Sequence, residues 1–329
     1  MKKFFLAAMV LAAAVAGGVF GQGVSPFGSI GANFYCDTTI NDGETDNKWG
    51  VNVLNSSSLF GVRYEGENVF AMAGYRADSV FFASGTWTTG ALSVNAGFSP
   101  LPCTFGGSLD IFQNGNWGKG ITVIAAEMVS ISIAGFQAGV AGMGPLDSYS
   151  PLLFAAYDYN AESFSAGASF TGWASKLDSP DSAFPFLATV RGRCNIAPVS
   201  VGLNAGIYKG LRTLLKSTPL VSVVDVLHET VAPEDSLVFE GLFDFKFTVN
   251  DTVSAAFTAG YIHELAAEDK GGGDNWLQLG FEIPISLGNG FTITPGLVYV
   301  NELSENIGGK IENEKKSEFQ YGVMLKYSF

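Results

Sequence analysis

The end of the chain alternates strictly. Phe319, Tyr321, Val323, Leu325, Tyr327 and Phe329 are apolar or aromatic, and Glu318, Gln320, Gly322, Met324, Lys326 and Ser328 stand between them. A period of two over this length describes a β-strand with one greasy face. The same period recurs upstream. Ile30, Ala32, Phe34 and Cys36 alternate with Gly31, Asn33 and Tyr35, and Leu92, Val94, Ala96 and Phe98 with Ser93, Asn95 and Gly97. Phe239, Phe243, Phe245 and Phe247 stand opposite Glu240, Asp244 and Lys246. Between the apolar residues the chain often places Gly, Ser or Asn, where the outer face of a soluble sandwich carries Lys, Glu and Thr. A small, polar second face suits the inside of a closed barrel.

Composition supports a membrane barrel. Charged residues make up 15 %, against roughly 25 % in soluble domains, and mean hydropathy is +0.24. A helical membrane protein concentrates its apolar residues in blocks of about 20; here they are mostly interleaved with polar ones. Residues 121–144 are the exception, but Glu127, Gln137 and the Ile/Val/Ser content predict a hairpin there. At the start, Lys2 and Lys3 precede an apolar run over 4–16 and small residues up to Gly21. This is the pattern of a secretory signal peptide over 1–21, which leaves one barrel domain over 22–329.

Removing Lys2 and Lys3 takes the formal charge from -13 to -15, which argues against nucleic acid as a partner. No ordered calcium spacing is present, and no metal or cofactor site is expected. Cys36, Cys103 and Cys194 allow one disulfide in an oxidising compartment and leave one thiol over. Cys36 and Cys194 are expected at lipid-facing or rim positions.

Counting back from Phe329, short connections at 287–290, 250–251, 195–198, 160–161 and near Val129 alternate with long ones at 301–315, 263–273, 209–235, 172–183 and 142–150. The count predicts a transmembrane antiparallel β-barrel of about 16 strands, with 14 or 18 as alternatives. Strands between 58 and 98 look short. A further strand at 49–54 would require another near 104–113 to keep the number even.

These features resemble the bacterial outer-membrane β-barrel proteins. In that family a terminal aromatic with alternating apolar residues behind it is the signal read by the barrel-assembly machinery; here those residues are Tyr321, Val323, Leu325, Tyr327 and Phe329. Aromatics near strand ends, such as Trp87, Tyr157, Tyr159 and Tyr261, resemble interfacial girdles. The strand number, the short early strands and the long loop 99–118 after the fifth strand are similar to the general porins. There, that loop folds inward and narrows the lumen, and the early strands form a trimer contact. The resemblance implies an outer-membrane location, with lipid and the assembly machinery as partners. It also implies a homotrimer and a water-filled channel for small hydrophilic solutes or ions.

A charge facing lipid at mid-bilayer costs roughly 2–4 kcal/mol. Arg63, Glu65, Arg191, Arg193, Glu240, Asp244 and Lys246 are therefore expected to line the pore. Asp110, the only acid in the long loop, would carry an acidic constriction. The competing expectation is that each Arg pairs with Glu65, Glu240 or Asp244 and braces the wall. A non-channel barrel displaying its loops for adhesion or structure is the alternative function, with 220–227 as a short helix or inward plug. Enzyme chemistry is not expected. His228 and His263 are each followed by Glu but start no H-E-x-x-H pattern, and there is no G-x-S-x-G elbow. Only the His263–Glu264 pair, near a barrel rim, resembles the outer-membrane hydrolases of this architecture.

Overall fold

The computed structural model describes residues 23–41, 43–53, 58–76, 81–100, 123–142, 152–173, 186–209, 222–224, 237–265, 275–302 and 316–329. Residues 1–21, the stretch 104–113, Cys103, Asp110 and His228 lie outside them, so the expected leader and the expected constriction are not described. Every regular element among the described residues is a β-strand.

The chain rises through β1 (Val24–Asn41) and returns through β2 (Glu44–Val53) and β3 (Leu59–Glu65). It continues up and down through β4 (Val69–Arg76), β5 (Phe81–Thr89), β6 (Leu92–Pro100), β7 (Val123–Ile133), β8 (Phe136–Ala141) and β9 (Leu152–Asn160). Then come β10 (Phe164–Trp173), β11 (Phe186–Ile196), β12 (Val199–Lys209) and the short β13 (Ser222–Val224). The last are β14 (Leu237–Thr248), β15 (Ser254–Leu265), β16 (Asn275–Glu282), β17 (Ile285–Gly288), β18 (Phe291–Glu302) and β19 (Lys316–Ser328).

Neighbours pair antiparallel, and β19 returns to β1 over Ser29–Asn41, which closes the sheet. The barrel has sixteen staves. β2 and β3 share one, β16 and β17 share another, and β13 stands outside the ring. The strand around Trp49 is thus the upper part of the second stave rather than a stave of its own, and the even number holds without a partner at 104–113. Where that stave is interrupted, Gly31 would lose its ladder partner. Buried Ser58 takes its place: the Gly31 N–H donates to Ser58 Oγ at 2.8 Å, and the hydroxyl donates back to the Gly31 carbonyl at 3.4 Å. In a bilayer no water could do this. The second break follows from Pro284, which lacks an N–H.

The hairpin expected in 121–144 is β7–β8, but it does not bend near Val129. Its turn is Ala134–Gly135, both with positive φ (49° and 85°), the signature of a tight hairpin turn. β4, β5 and β6 have 8, 9 and 9 residues, whereas β14, β15, β18 and β19 have 12, 12, 12 and 13. The early wall is therefore the lower one, as expected. Residues 101–122 follow β6, the fifth stave. Within 220–227, Ser222–Val224 is a strand rather than a helix. It pairs with Val123–Ala125 of β7, so the connection from β12 to β14 reaches β7, five staves away.

Register and exposure separate two faces. Phe34, Trp87, Ile131, Tyr157, Val190 and Leu203 are exposed on the outer one. In the ladder rows, Glu127 and Lys209 are the only charged side chains among the described residues that fall on this face. Inward positions near the long connections are apolar and covered, including Leu152, Leu187, Val238, Ile262 and Val300. Below them, toward the tight turns, the inner wall turns polar.

Candidate functional site

Arg191 and Arg193 lie two apart on β11, so they share a face, and exposed Val190 on the alternate row marks that face as the inner one. Opposite Arg191 on β10 is Gly167, and opposite Gly167 on β9 is Asp158. The guanidinium passes over the glycine. Its Nη2 donates to the two Asp158 oxygens at 2.5 and 2.6 Å, and its Nε at 3.0 Å. Arg193 repeats this in the other direction. It crosses Gly202 of β12 to reach Asp244 on β14, where Nη2 donates at 2.9 and 3.0 Å, and its Nη1 donates to Ser200 Oγ at 3.1 Å. A Cβ at Gly167 or Gly202 would land on the carboxylate, so each ion pair needs its glycine.

The two bridges set an order of charge round the wall: negative on β9, positive twice on β11, negative on β14. They differ in cover. Asp244 is fully buried, whereas Asp158, Arg191 and Arg193 keep 37 %, 31 % and 33 % of their side chains accessible. The charge that meets solvent is thus two cations and one anion. These three groups, with Asn160, Ser165 and Asn204, line a cavity of about 360 Å³.

The remaining expected residues fall as follows. Arg63 Nε lies 3.2 Å from Glu65 and 3.1 Å from Ser25 Oγ, near the turn end, with both charges exposed. Glu240 shares the inner face of β14 and is buried, and Lys246 on the same face is exposed. Bracing is realised at Arg63–Glu65 and Arg193–Asp244. Arg191 instead uses Asp158, which sequence reasoning missed. Glu282 and Glu318, both inward and buried, and Asp37, which accepts from Gln320 Nε2 at 2.9 Å, were missed too.

About halfway round the ring the inner wall changes character. Phe27 on β1 faces Gly61 on β3, Gly61 faces Gly74 on β4, and Gly74 faces Phe82 on β5. The two rings lie over the two glycines and meet at 6.3 Å between centroids. A Cβ on either glycine would strike a ring, at 2.7 Å for Gly61 and 2.6 Å for Gly74. Inward Met72 and exposed Phe70 extend this apolar ledge on β4, and the exposed Arg63 and Glu65 beside them in the same rows bound it on β3. Between ledge and charges runs a neutral mesh: Thr86 Oγ1 donates to Asn95 at 2.7 Å, and Gln137 Nε2 donates to Ser130 at 2.9 Å.

No protein-family model matches the chain, and no curated protein does. Solved structures do. The outer membrane channel DcaP of Acinetobacter baumannii superposes with a TM-score of 0.62 at 12% identity, covering 93% of this chain and 97% of that one. OmpT of Vibrio cholerae, an outer membrane protein solved in a trimer form, gives 0.53 at 10% identity, over 93% and 99%. A porin gives 0.50 at 13% identity, over 93% and 100%. The fold is that of the bacterial outer-membrane porins.

On this porin fold the terminal strand is part of the wall. Tyr321, Val323, Leu325 and Tyr327 face outward with Phe329, whose backbone exchanges bonds with Gly28 at 3.0 and 3.1 Å. The last residue is therefore a ladder member. Cys36 lies on the outer face but is buried beside Tyr321 and Trp49, whose rings meet edge-on at 6.1 Å. Cys194 sits on the outer row near the turn end, opposite Phe164. Both match the positions expected of small apolar residues. His263 also faces out of the porin barrel, stacked on Tyr261 with its Nδ1 against Asn275 Oδ1. Glu264 follows it on the alternate row of the ladder. Among the described residues no group of three or more His, Cys, Asp or Glu could hold a metal ion.

Proposed function

We propose that this protein is an outer-membrane porin, a water-filled channel for passive diffusion of small hydrophilic solutes or ions. One observation carries the reading. Sixteen staves close into a barrel whose outer face is almost free of charge, while its inner face carries the ion-paired and open charges around Arg191 and Arg193. A barrel of sixteen to eighteen strands has room for an aqueous channel, and a charged wall inside it biases which ions pass. Outer-membrane lipid then surrounds the girdle, and the assembly machinery reads the alternation ending in Phe329. A homotrimer is the proposed assembly, with the low wall of β4–β6 at its contact. It draws on those short strands and on the trimer form of OmpT.

A non-channel surface barrel draws on a different observation, the covered apolar residues of the upper inner wall and the reach of β13 to β7. Purified protein in a planar bilayer separates the two. Stable stepwise conductance is expected of the porin; a bilayer that stays silent while the protein is inserted and folded supports the display barrel.

A further inference from the structure

We propose that the lumen selects amphiphilic anions, solutes that carry a flat apolar body and a single anionic group, of which aromatic carboxylates are the simplest. This rests on the channel reading and adds the substrate class. The inner wall is two-sided. On β1–β5 the rings of Phe27 and Phe82 lie over Gly61 and Gly74, with Met72 and Phe70 beside them. About halfway round the ring stand Arg191, Arg193 and Asp158, open to the 360 Å³ cavity, with Asp244 sealed behind.

Phe27 and Phe82 are half-buried, and the part of each ring left open to a wet lumen gains nothing from hydration. Packing over Gly61 and Gly74 holds each ring against the wall, and the part left open is available to a solute. The two rings, tilted 52° to each other over the glycines, offer an aromatic solute both a face and an edge to pack on. Opposite, two guanidiniums and one carboxylate reach the cavity while Asp244 lies behind Arg193, so cationic groups outnumber anionic ones at its surface. A guanidinium is a planar fork suited to carboxylates. A solute with an apolar ring and a carboxylate finds an apolar wall for the one and a cationic wall for the other as it passes. Acetate engages only the charged wall, and benzylammonium meets the wrong sign.

The test is permeability of the full protein in planar bilayers, read as reversal potentials with sodium benzoate, sodium acetate and benzylammonium chloride. The benzoate-to-acetate ratio is expected to exceed unity, although benzoate is the larger ion. It is expected to fall several-fold in Phe82→Ala, and also in Phe82→Leu, which keeps the bulk, loses the flat ring and serves if the alanine variant does not fold. Arg191→Gln is expected to lower benzoate against benzylammonium several-fold. Trp87→Phe on the outer face should move neither ratio. A wild-type ratio below unity, or a ratio that both Phe82 variants leave unmoved, overturns the inference while leaving the porin intact. Absence of any salt conductance overturns the porin and the inference together.

Discussion

The ledge on β1–β5 and the charged sector on β9–β14 use one device for opposite ends. In each, glycines clear a path along the inner wall, side by side on the ledge and on either side of β11 in the charged sector, and long side chains from an adjacent stave lie down in it. On the ledge, Phe27 and Phe82 lie over Gly61 and Gly74; in the charged sector, Arg191 and Arg193 cross Gly167 and Gly202. The difference lies in what the path holds. Rings gain from any apolar contact, so the ledge tolerates imprecise packing. Ion pairs over glycine need both partners, because a carboxylate closed off from water without its cation is costly. The charged sector should therefore be the brittle one, and its two bridges should differ by how much water reaches them.

Removing the covered acid should have the largest effect. Asp244→Ala is expected to destabilise the barrel by about 3 kcal/mol, the low end for breaking a buried pair, because Arg193 keeps a third of its side chain open. Urea titration in lipid vesicles reads this directly. Filling the paths comes next. Gly202→Val and Gly74→Val should each cost about 2 kcal/mol by overpacking, but only Gly202→Val should also alter ion preference, since it pushes Arg193 off Asp244. Equal effects of the two variants on selectivity would erase the distinction between the sectors. The smallest effect is expected for Asp158→Ala, about 1 kcal/mol or less, since both members of that bridge are solvated. A loss as large as that for Asp244 would mean that cover does not separate the bridges.

Much of this was legible in the chain. Alternation gave the staves and placed Arg63, Arg191, Arg193, Asp244 and Lys246 inside, because lipid repels charge. The sixteen-stave count came from turn chemistry at residues such as Asn195 and Gly290. Trp49 was ambiguous because the second stave is made of two strands, β2 and β3, and two strands in one stave read like two staves. Val129 was misread as a bend, since Ala134–Gly135 turns through positive φ at a residue, alanine, that rarely signals it. Asp158 was missed between Tyr157 and Tyr159, although two outward aromatics do force the residue between them inward. Phe27 and Phe82 could not be read at all. An inward ring has the same sequence signature as a lipid-facing one, and only register across Gly61 and Gly74 reveals the difference. The glycine paths are non-local in the same way: they exist only once β9, β10 and β11 are aligned.

The most direct test of a water-filled lumen with this inner face is single-channel recording with thiol modification. In a variant with Cys36, Cys103 and Cys194 replaced by alanine, Asn204→Cys and Leu203→Cys put one thiol on each side of β12. A membrane-impermeant anionic methanethiosulfonate should step the conductance down at position 204 and leave position 203 unchanged. No conductance at all, or a block at 203 with none at 204, would contradict it.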